Sequence, residues 1–240
     1  AAVSGRDMGL AAEAVASAMN QFGIAGENAT HVADVYAKAA ADTNAETVDM
    51  AEAMKYAGPV MSSLNSSFEE TAAAIGIMSN AGIKGSQAGT TLRTAMQRLA
   101  APTDVASKLM QSLGISAYNS EGQMKPISEL LPHLQERLSG LSEEQRNNAL
   151  NTLFGKESLS GMLALLDSAG PEFDGVVSGL QNSNGAAKEM ADTMNSGLTG
   201  SIENLKGKLE TAAITVSERF APYIEQLADK VGELTEWFTN

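Results

Sequence analysis

Along most of the chain, apolar residues recur at spacings of three and four, a pattern that predicts a succession of amphipathic helices. The clearest run is Phe68–Pro102, FEETAAAIGIMSNAGIKGSQAGTTLRTAMQRLAAP. Ser67 suits an N-cap, and Glu69 and Glu70 follow in the first turn, where negative charge favours the helix dipole. Ala72, Ile75 and Ile77–Met78 supply an apolar face. Asn80-Ala81-Gly82 is a stop signal, with Gly82 placed for a left-handed C-cap and Ile83 for the hydrophobic contact that accompanies one. Lys84-Gly85-Ser86 reads as a short turn, with Ser86 capping a second helix. That helix turns Leu92, Ala95–Met96 and Leu99 inward, and Ala101-Pro102 ends it. The expected unit is a helical hairpin with a glycine-rich elbow of Gly82, Gly85 and Gly89. A phosphate-cradling loop is the rival reading of these glycines. It is disfavoured because no strand precedes them and no GK[ST] follows. Gly89 lies early in the second helix, so close helix–helix approach is the expected reason for it. Size is then expected to decide substitutions there, with Ala tolerated and Leu not.

The remaining pattern extends this plan. Asp7 is placed to cap a helix carrying Ala11, Val15, Ala18 and Phe22, ended by Gly23. A helix over Glu27–Ala41 carries Val32, Val35–Tyr36 and Ala39. Another restarts at Asn44–Glu46 and is expected to break at Gly58-Pro59. Thr103-Asp104 begins a short helix to Leu113, stopped by Gly114. Residues 115–127 alternate around the turn cluster Asn119-Ser120-Glu121-Gly122 and predict a small β-hairpin lying on the helices. Ser128 is expected to cap Glu129–Leu138, and Ser142 with Gln145 has capping-box spacing. Ser158–Leu166 is short and very apolar, read as a buried core helix, with a subunit-contact surface as the sharper alternative. Pro171 opens a helix through Phe173, Val176–Val177 and Leu180. Gln181–Gly185 is the best linker candidate.

From Ala186 the grammar changes. One stripe runs Ile202, Leu205, Leu209, Ala212, Val216, Phe220, Tyr223, Leu227, Val231, Leu234, Phe238. Its first five positions form an a/d seam, and two doubled steps of four act as stutters. Pro222 is expected to kink the helix or begin a new one. The fold class expected is therefore all-α: mainly helical hairpins, one small β-hairpin near 115–127, and a long C-terminal amphipathic helix. The domains expected are a compact helical core over 1–183 and a helical arm over 184–240, the start of a coiled-coil-like rod. Ile202, Leu205, Leu209, Val216, Phe220, Leu227, Val231 and Leu234 are the candidate oligomer stripe.

Composition narrows the function. A net charge of −13 leaves no electrostatic term for binding nucleic acid or anionic membranes. Aromatics make up 5% of residues, which favours helices with small, close-packed interfaces over strands. There is no cysteine, so thiolate and zinc–cysteine chemistry are excluded. No apolar run reaches the length of a membrane span. His31 and His133 lie far apart in no metal-binding spacing and read as surface or capping residues. Glu69-Glu70 and Glu143-Glu144 are adjacent, point to different sides of a helix and cannot pair. No catalytic, cofactor or metal residues are expected. The chain opens without an initiator Met and stops in an unfinished pattern, as expected of a piece of something longer.

The stretch EETAAAIGIMSNAGIKGSQAGTTLRTAMQRLAAP closely resembles the core region of phage tail tape measure proteins of the TP901 type. The resemblance extends upstream through Ala53–Pro59. Downstream it runs through Leu113-Gly114-Ile115, Glu129-Leu130-Leu131, Leu138–Gln145 and Phe154-Gly155-Lys156, covering roughly residues 30 to 180. It implies a structural protein of the virion tail, assembled in the host cytoplasm. Such a protein fixes tube length and then helps deliver the genome. The partners implied are tail tube and tail chaperone proteins, with self-association. Two alternatives stand beside it: a helical binding or toxin-like module, and a cell-wall-degrading enzyme domain. The many breaks in residues 1–180 rule out a straight rod there, so this segment is not expected to be the measuring part.

Overall fold

Short apolar-faced helices separated by glycine and proline stops must bury their faces against one another, and they do. The structure, a computed structural model, describes residues 5–193 together with Ser196 and Ile202. Ten α-helices are bounded there: α1 (Gly5–Phe22), α2 (Ala29–Asp42), α3 (Thr47–Ser63), α4 (Phe68–Asn80), α5 (Gly85–Ala100), α6 (Asp104–Leu113), α7 (Ile127–Ser139), α8 (Glu143–Phe154), α9 (Leu159–Asp167) and α10 (Pro171–Gln181). A 3-10 turn, Gly26–Asn28, precedes α2. The chain is helical again over 186–193. It divides into a unit Ala1–Ala191 and a unit Asp192–Asn240. The architecture below is that of the first.

The centre of this unit is α4. Eleven of its thirteen residues are buried, so it has no solvent face. A helix that is apolar or small all round is a core helix. It packs on α2, α3, α5, α9 and α10. Its N-terminal Phe68 anchors an aromatic cluster. The Phe22 ring lies edge-on at 5.6 Å and the Tyr36 ring at 5.3 Å, joining α1, α2 and α4. Burial raises the Tyr36 phenol above its ordinary pKa. Elsewhere the core combines leucine, isoleucine and valine with many methionines. Met50, Met54, Met61, Met78, Met96, Met110, Met124 and Met162 are all buried. Flexible thioethers fill the irregular gaps between closely spaced helices.

Several sequence expectations change. The β-hairpin near 115–127 does not extend to paired strands. A single antiparallel bridge, Tyr118 with Met124, is the pairing described there. Two backbone bonds cross it, Asn119 N to Gln123 O and Lys125 N to Ala117 O, both at 2.9 Å. The turn is also held by the Asn119 side chain, which accepts from the Glu121 and Gln123 amides at 3.0 and 2.9 Å. The long C-terminal helix and all of the stripe after Ile202 lie outside the described residues. Gly58-Pro59 does not break α3, which continues to Ser63. Pro59 and Lys55, whose carbonyl Pro59 cannot satisfy, are both exposed residues. Ser86 does not cap α5, whose N-cap is Lys84 with no side-chain bond. Nor does Ser128 cap α7, which begins one residue earlier at Ile127.

Other stops fall where the pattern put them. Ser67 accepts from the Glu70 amide at 3.0 Å. Thr103 accepts from Ala106, and Ser142 and Gln145 form a reciprocal capping box. Gly23 and Gly114 have φ of 65° and 67°. The apolar segment α9 buries Met162, Leu165 and Leu166 in the core.

Candidate functional site: the buried hairpin and its ties

The elbow between α4 and α5 is built by backbone geometry. Gly82 has φ +83°. Its amide donates to Ser79 O at 3.0 Å, and the Ile83 amide donates to Met78 O at 3.0 Å. These two bonds make a Schellman motif, which satisfies carbonyls the helix end would otherwise leave open. Ile83 is buried beside Met78, as an added Cβ on Gly161 would touch both. Gly85 is also at positive φ, +54°. Asp49 and Glu52 of α3 lie against it, their carboxylates 3.5 and 3.2 Å from where a Cβ would stand. They place negative charge at the N-terminus of α5, in the favourable sense for its dipole. The same charges repel an anion, which removes the phosphate-loop reading of these glycines.

Gly89 marks a close crossing of α5 over α3. A Cβ there would overlap the Ala53 carbonyl oxygen and stand 2.9 Å from Ala53 C and Cα. The obstacle is backbone and cannot rotate away. The expectation that alanine fits is therefore corrected: the site excludes any side chain.

Around this hairpin, helix ends are satisfied by side chains from distant helices. Each helix leaves unpaired amides at its start and carbonyls at its end. Buried Glu70 of α4 takes the Ser128 amide at 3.2 Å and the Ser128 hydroxyl, so it caps α7 across 58 residues. Arg98 of α5 donates from Nε to Leu153 O and from a terminal nitrogen to Thr152 O, both at 3.0 Å, closing the end of α8. Gln135 of α7 donates to Leu166 O in the last turn of α9 at 3.0 Å. Asp34 of α2, 3% exposed, accepts from the Gly185 and Ala187 amides at 2.8 and 2.9 Å. The adjacent carboxylates Glu69 and Glu70 do point apart. Glu69 pairs with His31 of α2 at 2.8 Å while Glu70 reaches α7.

His133 is also a tie. Its Nε2 accepts from the Ser116 amide at 3.2 Å, which requires that nitrogen to be unprotonated. Desolvation lowers its pKa first, with Lys125 and Arg137 adding to the effect and Glu136 and a Gly114 backbone bond opposing it.

Of the candidate stripe, Ile202 is helical and exposed. Leu205, Leu209, Val216, Phe220, Leu227, Val231 and Leu234 lie outside the described residues. Sequence reasoning missed Asp34, Glu70 and Arg98 as tertiary ties. Asp34 alone left a signal, a charge set inside the apolar run Val32–Tyr36. Among the described residues no cluster of three or more metal-ligating acids or histidines occurs, and no helix is long and apolar enough to cross a membrane.

The geometry is thus that of a packed helical module with ties at its helix ends, and sequence comparison places it. The model of the phage-related minor tail protein family matches residues 1–155. The chain belongs to that family and is a phage tail component. It is 51% identical over all 240 residues to the tape measure protein of Pneumococcus phage Dp-1, covering 21% of that protein. It is 30% identical over 192 residues to the probable tape measure protein of Escherichia phage P2, which spans 79% of this chain and 24% of that protein. The chain therefore spans about a fifth to a quarter of the length of these relatives. No solved structure matches it.

Proposed function

We propose that this chain is a structural segment of a tape measure protein, acting in tail-length determination and genome delivery without enzymatic activity. The observation that carries this is 51% identity, over all 240 residues of this chain, to a part of a tape measure protein. Within that role, residues 1–183 are the compact core and 184–240 begin a helical arm. The partners are the tail tube and tail chaperone proteins. The stripe from Ile202 to Leu234 is the self-association surface. No nucleic acid partner is proposed, since the net charge of −13 opposes one.

The physics assigns a limited part to the core. A ruler needs constant length per residue, and a straight helix gives about 1.5 Å. Ten short helices folded on one another do not. Tandem duplication of residues 1–191 within the full-length protein, with tails measured by electron microscopy, tests this. The expected result is little change in tail length. Lengthening by about 290 Å would make these residues part of the ruler. Absence of the polypeptide from assembling tails would overturn the role itself. Light scattering of the 240-residue chain tests the stripe, where a strict monomer at high micromolar concentration removes self-association.

A further inference from the structure

Residues 181–185, Gln-Asn-Ser-Asn-Gly, have the composition of a flexible linker. Their surroundings are not those of a linker. Ser183 is 3% exposed, and Gly185 stands at φ +86° immediately before the helix at 186–193. As its N-cap, Gly185 has no side chain with which to serve the first turn. Asp34 supplies the missing carboxylate from α2. Its Oδ2 accepts from the Gly185 amide and its Oδ1 from the Ala187 amide. One buried carboxylate thus satisfies the N-cap and N2 amides of a helix more than 150 residues away in sequence.

We propose that Asp34 is a latch that holds the start of the 186–193 helix on α2, and that makes release of residues 185–187 cooperative with loosening of α2. The second half follows from burial. The two amides are hydrogen-bond donors to this carboxylate among the described residues. If they depart while α2 stays packed, a carboxylate is left buried without partners. That state is unfavourable, because a buried carboxylate that loses its hydrogen-bond donors keeps the full cost of its desolvation. The segment therefore stays attached until α2 moves enough to hydrate Asp34. Tension arriving from residues beyond 187 is delivered to α2, in the middle of the helix, rather than to the end of α10. Composition alone would make 181–185 a free hinge; the latch makes it a fixed connection.

The experiment uses the full 240-residue chain, with Asp34→Ala and Asp34→Asn variants and Glu70→Gln as a control that weakens a different buried tie. Hydrogen exchange is followed at the Gly185 and Ala187 amides and at amides of α2, α3 and α4. Tryptic cleavage after Lys188 gives a second readout. In the parent, 185 and 187 are expected to exchange together with α2. In Asp34→Ala they should lose at least tenfold protection relative to α3 and α4, with cleavage after Lys188 accelerated similarly. Asp34→Asn, which keeps one acceptor, should fall between. Glu70→Gln should not accelerate cleavage beyond its effect on the core amides. Rapid exchange at 185 and 187 in the parent would overturn the latch. So would loss of their protection in Asp34→Ala only in proportion to the core.

Discussion

The α3–α5 crossing and the helix ends around α7, α8 and the 186–193 segment hold the unit together by opposite means. At the crossing, specificity comes from what is missing. Gly89 has no side chain, so the α5 backbone rests on Ala53. At the helix ends, specificity comes from single long side chains. Glu70, Arg98 and Asp34 each reach a terminus that no local residue caps. The crossing is intolerant of added volume. The ends are intolerant of lost polarity, because removing a partner leaves buried groups unsatisfied. A chain poor in aromatic residues cannot rely on large interlocking side chains, and these two devices take their place.

The sharpest break of this comparison is at the crossing. Gly89→Ala should destabilise at the upper end of roughly 1–3 kcal/mol for an overpacked core, despite alanine's better helix propensity. Urea denaturation measures this, and a variant as stable as the parent would mean the helices can slide apart. Next comes a helix end. Glu70→Ala should cost about 2 kcal/mol, in the range of hydrogen bonds to charged groups, with Glu70→Gln milder. Equal costs for the two would place the effect in packing rather than in the cap.

Gly82 sharpens the contrast from a third side. Nothing lies within 4 Å of an added Cβ there, so the cost is conformational alone. Thermal melts should show Gly82→Asn near the parent and Gly82→Val lower by roughly 1–2 kcal/mol or somewhat more. The smallest effect is expected from His133. Its folded pKa lies below the ordinary 6.5, so the unfolded chain takes up the proton first. Its contribution is complete above about pH 6.5 and is lost as pH falls below that value. Denaturation at pH 7 and pH 5 should show this share of the loss disappearing in His133→Gln. An unchanged pH dependence would remove His133 from the ties.

What was legible in the sequence follows the same division. Gly82, Gly23 and Gly114 announce their stops because left-handed backbone needs glycine within a few residues of a helix end. The helices of the hairpin announce themselves by periodicity. The failures are non-local. Pro59 looks like a break, yet α3 passes through it, with Pro59 at an exposed position of the helix. The alternation in 115–127 looks like two strands, yet asparagine bonds form a turn with one bridge. Glu70 looks like a first-turn charge and is also a cap for a helix 58 residues away. Periodicity carries no information about such distances.

The methionine-filled core has a chemical consequence. Thioethers are oxidised by peroxide to sulfoxides when reagent can reach them, and the added polar oxygen is incompatible with a dry interior. Met54, Met61, Met78 and Met96 are 0–2% exposed and span α3, α4 and α5. While the unit stays closed, each is shielded. Every opening that admits peroxide leaves a permanent mark on the helix that opened. Peptide mass spectrometry after a timed pulse would then record which helices parted, including inside an assembled particle where spectroscopy of one polypeptide is impractical. The side chains that let these helices pack closely thus also serve as a built-in recorder of their separation.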